Sequence, residues 1–152
     1  MDWSENDRRL LRFLQSDCSL SNAELAERVG LSASVCWRRV RGFEEAGIIE
    51  RYRADVSPTR VGLQFQAMVH VQLTRHNPTH LRDFIAAIEH REEILECYAT
   101  TGKADYHLRV LCRDIDHYNR FLEGYLFQLP AVESAQTNVV LREIKRSGVI
   151  PV

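Results

Sequence analysis

Long apolar runs are missing from this chain: no stretch approaches the ~18 apolar residues that a membrane-spanning helix requires. The opening MDWSENDRRL is acidic and polar where a secretory signal needs a basic and then an apolar stretch. No membrane partner is expected, and the expected location is the cytoplasm. Cysteine is sparse and dispersed. Cys18, Cys36, Cys97 and Cys112 match none of the close-spaced pairs that zinc sites and redox motifs use, and the six histidines are equally scattered, so no metal site is expected. Also absent are G-x-G-x-x-G, G-x-S-x-G and G-K-S/T, which removes the usual phosphate-loop and hydrolase signatures. Asp105 and His107 are the best acid/base pair the chain offers. Two residues apart on a strand they share a face, which is ordinary alternation. Neither catalysis nor a cofactor is expected.

What is present is a globular composition, 45% hydrophobic and 27% charged with a mean hydropathy of −0.30. The net charge of −1 argues against a protein that grips nucleic acid over its whole surface. The distribution matters more than the total. Residues 1–60 carry ten Arg against ten Asp or Glu, yet Arg38, Arg39, Arg41, Arg51 and Arg53 crowd into one short segment. A local basic face survives a neutral sum.

Residues 4–47 read as three short helices with clear starts and stops. Ser4 begins the first, whose apolar stripe is Leu10, Leu11 and Leu14. Ser21 and Glu24 form the spacing of a capping box for the second, in which each side chain satisfies an otherwise orphan backbone N–H, and Leu25, Ala26 and Val29 face inward. Gly30 suits the left-handed end of that helix, and Ser32 caps a third at once. The third buries Cys36, Val40 and Phe43 and stops at Gly47. Three helices with a glycine turn between the last two describe a helix-turn-helix.

Beyond residue 50 the texture changes. Glu50 to Val56 and Leu63 to Thr74 read as strands; Pro78 opens a helix striped by Leu81, Phe84, Ile85 and Ile88; Ile94 to Thr100 is a strand. Gly102 turns the chain into an alternating strand carrying Tyr106, Leu108, Val110 and Cys112. Ile115, Tyr118, Leu122, Tyr125 and Leu129 stripe a last helix that Pro130 ends, and Ala135 to Ile144 supplies a final strand. The fold class expected is α+β: a trihelical, winged-helix-like unit at 1–50, a connecting strand or hinge at 51–62, and a ferredoxin-like βαββαβ domain at 63–152. Two helices then cover one face of a four-stranded antiparallel sheet. The other face, with both apolar and polar side chains, is expected to meet a second copy's sheet in a homodimer.

Rotating about 100° per residue from Val40 at the centre of the buried face points Ser34, Val35, Arg38 and Arg41 outward, with Trp37 and Arg39 on the flanks. A helix of this diameter fits the major groove of double-stranded DNA, where Arg reads guanine bidentately and small side chains meet base edges. Ser32 and the helix N-terminus are placed to hold phosphate. The plainer alternative is a solvated face in which these arginines pair with Glu44 and Glu45. The tight Gly30-Leu31-Ser32 turn running straight into the arginines favours DNA.

Residues 25–54, LAERVGLSASVCWRRVRGFEEAGIIERYRA, resemble the signature of the Lrp/AsnC (feast/famine) regulators, and residues 96–110, ECYATTGKADYHLRV, resemble that family's effector segment. The resemblance implies a dimer, often assembled further to an octamer, that binds DNA and takes up amino acids between subunits. It also implies an effector site at or near Gly102, Asp105 and Tyr106, with Tyr98 and Thr100 on the approach and Thr137 and Asn138 contributed by a neighbouring chain. The chemistry is compatible: backbone N–H groups around Gly102 suit a carboxylate, and Asp105 suits an ammonium. Without the resemblance, Gly102 merely permits a turn and Asp105 merely starts a strand. The function expected is a sequence-specific, nucleoid-associated transcriptional regulator modulated by an amino acid. The alternative is an interaction or architectural module without effector sensing.

Overall fold

The computed structural model describes residues 3–74, 78–146 and 148–152. The chain divides into two units, one running to Asp55 and including Ile144–Val152, the other spanning Val56–Glu143.

In the first unit, helices α1 (Glu5–Ser16), α2 (Asn22–Val29) and α3 (Ala33–Glu45) close over Leu10, Leu11, Leu14, Leu25, Ala26, Val29, Cys36, Val40 and Phe43. The reciprocal box at Ser21 and Glu24 is present, and α1 carries a second one that uses Asp7 as the partner of Ser4. Each such cap is worth about 0.5–2 kcal/mol. Gly30, at φ +76°, lets Leu31 N donate back to Ala26 O (2.9 Å). Gly47, at φ +67°, does the same for Ile48 N and Phe43 O (2.8 Å). These are Schellman endings, and each drops the following apolar residue, Leu31 or Ile48, against the core.

The second unit is a four-stranded antiparallel sheet, β1 (Phe65–Leu73), β2 (Ile94–Ala99), β3 (Tyr106–Cys112) and β4 (Val132–Val139), in the order β2-β3-β1-β4. Helices α4 (Pro78–Glu89) and α5 (Ile115–Gly124) complete the expected βαββαβ order. Strand alternation sends Ala67, Val69, Val71, Leu108 and Val110 into a core shared with Phe84, Ile88, Tyr118 and Phe121. Gln66, Met68, His70 and Gln72 of β1 therefore point to the opposite face.

Several expected details differ. Glu50–Val56 forms no strand, because no described strand of this chain pairs with its backbone. Leu81 and Ile85 stay exposed at 38% and 39%, since only the Phe84/Ile88 side of α4 joins the core. On α5, Ile115 is exposed and Phe121, absent from the expected stripe, is buried. The last strand is Val132–Val139 rather than 135–144: β1 begins at Phe65, so its ladder ends where Val140 N donates to Gln66 O (2.9 Å). The chain beyond β4 leaves the sheet. Residues Ile144–Val152 cluster with the first unit, where Gln15 exchanges two hydrogen bonds with Ile150 (3.3 and 2.7 Å) and Arg12 donates twice to Val152 O (3.2 and 2.8 Å).

Candidate nucleic-acid interface and effector site

Ser32 starts α3 by accepting from Val35 N (3.4 Å), with Ser34 Oγ 3.2 Å from Ser32 Oγ. The free N–H groups and dipole of this first turn face an anion favourably. Further along, Trp37 is 56% exposed and Arg38 is exposed, with no hydrogen-bond or charge partner among the described residues. Val35 is half-buried.

The other two arginines of the expected reading face are engaged. Arg39 turns back to α1 and pairs with Asp7 and Ser4. Burial pushes the Asp7 carboxyl up, but hydrogen bonds from Ser4 and Arg39 and the Arg39 charge outweigh it and hold the group below its ordinary range. Arg41 pairs along its own helix with Glu44 (3.3 Å) and Glu45 (3.1 Å). Exposed pairs of that kind are worth only about 0.3–0.5 kcal/mol, so a phosphate can displace them. Glu44 also accepts from Tyr52 Oη (2.8 Å); burial and the neighbouring carboxylate push that phenol up to about 12.

The candidate effector residues fall into three groups. Thr100, Gly102 and Asp105 belong to the β2–β3 turn, where Thr100 N donates to Asp105 O (3.0 Å) and Gly102 sits exposed at φ +139°. Asp105 Oδ2 accepts from Leu73 N (2.8 Å) at the irregularity in β1 between Gln72 and Leu73, satisfying a donor the ladder drops. Tyr106 and Thr137 lie on the helix-covered face: Tyr106 packs its ring 5.1 Å from Phe84, and Thr137 meets the Tyr118 hydroxyl. Tyr98 and Asn138 lie on the open face, at opposite edges of the sheet. One chain thus assembles the turn but does not bring all seven residues together.

The structure also joins two residues that sequence reasoning left apart. His70 and His107 are direct cross-strand partners, with their Nδ1 atoms 2.6 Å apart and their rings near perpendicular. Asn138 Nδ2 lies 3.0 Å from His70 Nε2. Alternation alone puts each histidine on the open face, but only the β1–β3 register makes them neighbours. Among the described residues no three or more His, Cys, Asp or Glu side chains form a metal cage, and no helix is long and apolar enough to cross a membrane.

A family model for winged helix-turn-helix DNA-binding matches residues 4–50, and one for the Lrp/AsnC ligand binding domain matches residues 66–150. The chain belongs to the Lrp/AsnC family. It is 38% identical over 147 residues to a leucine-responsive regulatory protein of Salmonella typhimurium, covering 97% of this chain and 90% of the relative. It is 33% identical over 148 residues to the transcriptional regulator AzlB of Bacillus subtilis, covering 97% and 94%. Among solved structures, a transcriptional regulator of Neisseria meningitidis in complex with L-Met superposes with a TM-score of 0.96 at 36% identity, covering 99% and 97% of the two chains. AsnC of E. coli gives 0.88 at 28% identity. This Lrp/AsnC member is therefore a DNA-binding transcriptional regulator with a ligand-binding α/β domain, and no enzyme.

Proposed function

We propose that this regulator reads specific DNA sequences with α3 and that an amino acid bound by its second unit alters that binding or the protein's assembly. The observation carrying the DNA half is the exterior of α3. Trp37 and Arg38 stand exposed beyond an N-capped first turn, which offers one aromatic surface, one guanidinium unpaired among the described residues and one helix N-terminus suited to a phosphate on a single helix. Ser32, Ser34, Val35 and Arg41 flank them, and Arg39 serves by fixing α3 to α1. Cytoplasmic, nucleoid-associated action on double-stranded DNA follows from that role.

The effector half rests on the β2–β3 turn and on the relatives. A leucine-responsive relative and a neighbour solved with L-Met point to an amino acid. The turn offers exposed backbone at Gly102 for a carboxylate and Asp105, one oxygen of which makes no hydrogen bond among the described residues, for an ammonium. Thr137 and Asn138 lie two strands from that turn in the same chain. Asn138, on the open face, joins the site only if a second copy supplies it, which favours a homo-oligomer, whereas Thr137 is engaged with Tyr118 beneath the helices. The open sheet face, where Met68 and Leu111 sit among polar side chains, suits that second copy.

Protection footprinting on the DNA upstream of the protein's own gene tests this reading. The expected result is paired half-sites spaced by one helical turn, about 10–10.5 base pairs, or a multiple of it. Diffuse protection that a scrambled fragment shows equally would favour the architectural alternative.

A further inference from the structure

We propose that His70, His107 and Asn138 form a binding site on the open sheet face for a divalent transition-metal ion that prefers square-planar or tetragonal coordination, Cu2+ or Ni2+. Two ring nitrogens 2.6 Å apart are held there by the β1–β3 ladder, with no loop to order on binding.

One assignment of donors and acceptors satisfies both contacts. With Asn138 Nδ2 donating to His70 Nε2, His70 carries its proton on Nδ1 and donates it to His107 Nδ1. His107 then holds its own proton on Nε2. In that assignment each ring carries a single proton, the form that ligates a metal. For a metal to take both Nδ1 lone pairs, the His70 proton moves from Nδ1 to Nε2, and the Asn138 amide turns over so that its oxygen accepts it. Each imidazole keeps one proton and none is released. Asn138 then fills the usual role of an outer partner that fixes a ligand's tautomer.

The spacing selects among metals. At a metal–nitrogen distance of about 2.0–2.1 Å, adjacent ligands 90° apart stand ~2.9 Å from each other, and tetrahedral ligands ~3.3 Å. Opening 2.6 Å to the first value needs a few tenths of an ångström, less than half of what a tetrahedral ion demands, and each ring must also turn by roughly 45°, because the hydrogen bond aims each Nδ1 at the other rather than at a shared ion. Imidazole suits Cu2+ and Ni2+, and Cu2+ tops the divalent affinity order. The charges on the same face nearly cancel. Arg109, two residues along β3, is paired with Glu96 (2.7 Å), and Glu96 also accepts from Tyr98 Oη (3.2 Å). Two positions of the metal come from this chain, leaving the others for water or for a second copy's histidines.

The test is a Cu2+ titration of the full-length protein followed by calorimetry and electron paramagnetic resonance, with Zn2+ in parallel. The expected result is saturable binding with axial spectra showing two coupled nitrogens at one ion per chain, or four at one ion per two chains. Zn2+ should bind at least ~10-fold more weakly. His107→Gln should remove the transition, and Asn138→Leu should weaken it ~10- to 100-fold at unchanged melting temperature. His70→Gln provides a second removal should His107→Gln fail to fold. Binding that survives both His variants is an adventitious ion only and overturns the proposal, as does wild-type protein without a saturable transition.

Discussion

Arg39 is held by Asp7 across 32 residues of sequence, its guanidinium meeting the carboxylate that also completes the Ser4 cap of α1. A side chain that looks like a DNA contact on a helical wheel instead joins the first and third helices. Arg39→Ala should therefore lower stability, by about 1 kcal/mol for a partly exposed pair, and leave the ranking of DNA sequences unchanged. Thermal denaturation and a competition binding series on the same sample separate the two effects.

Arg38 gives the opposite pattern. No partner among the described residues loses a bond when it is removed, so Arg38→Ala should leave the melting temperature within ~1 °C while costing about 1–3 kcal/mol of discrimination at one or two base pairs. A uniform loss across all sequences, with a shallower salt dependence, would assign Arg38 to phosphate alone.

The Asp7 carboxyl titrates below its ordinary value of 3.8 in the folded chain. Its contribution is thus fully present above the unfolded value and disappears as pH falls through the lower folded one. Asp7→Asn should flatten the acid limb of a stability–pH profile below about pH 4 and leave the neutral limb parallel to wild type. Chemical denaturation at a series of pH values reads this directly.

Asp105 has a structural duty that the sequence does not reveal, since its Oδ2 satisfies Leu73 N where the β1 ladder slips. Asp105→Ala should cost about 1–3 kcal/mol by stranding that donor, whereas Asp105→Asn keeps an acceptor and most of the stability. Both should lose amino-acid response if the carboxylate pairs with an ammonium. Asn with a wild-type response would move the ammonium partner elsewhere.

Gly30→Ala isolates a backbone effect. A Cβ there meets nothing within 4 Å, so the cost comes only from the left-handed conformation at φ +76°, about 1–2 kcal/mol. Unfolding in urea should show a lowered midpoint with an unchanged slope.

The features legible in the sequence were those decided locally. Ser21 with Glu24, Gly30 before Ser32, and the Cys36–Val40–Phe43 stripe specify helix starts, stops and inner faces within a few residues of themselves. The βαββαβ order followed from alternation and turn chemistry in the same way. What could not be read depends on residues far apart in the chain. The length of β4 is set by where β1 begins, the Arg39 pair by how α3 crosses α1, and the His70–His107 contact by strand register. The stripe of α4 shows the same limit: Leu81 and Phe84 look equivalent on a wheel, but only the sheet decides which one it covers. The candidate effector residues were legible as a turn, and their division between two faces and two edges was not.

The most direct measurement is fluorescence anisotropy at fixed salt on labelled DNA from upstream of the protein's own gene and on a scrambled control, repeated with each of the common amino acids. Binding to the native fragment should be at least ~10³-fold tighter than to the control, and that affinity should shift with one or a few amino acids. Equal, weak binding to both fragments under every condition would contradict the proposed function.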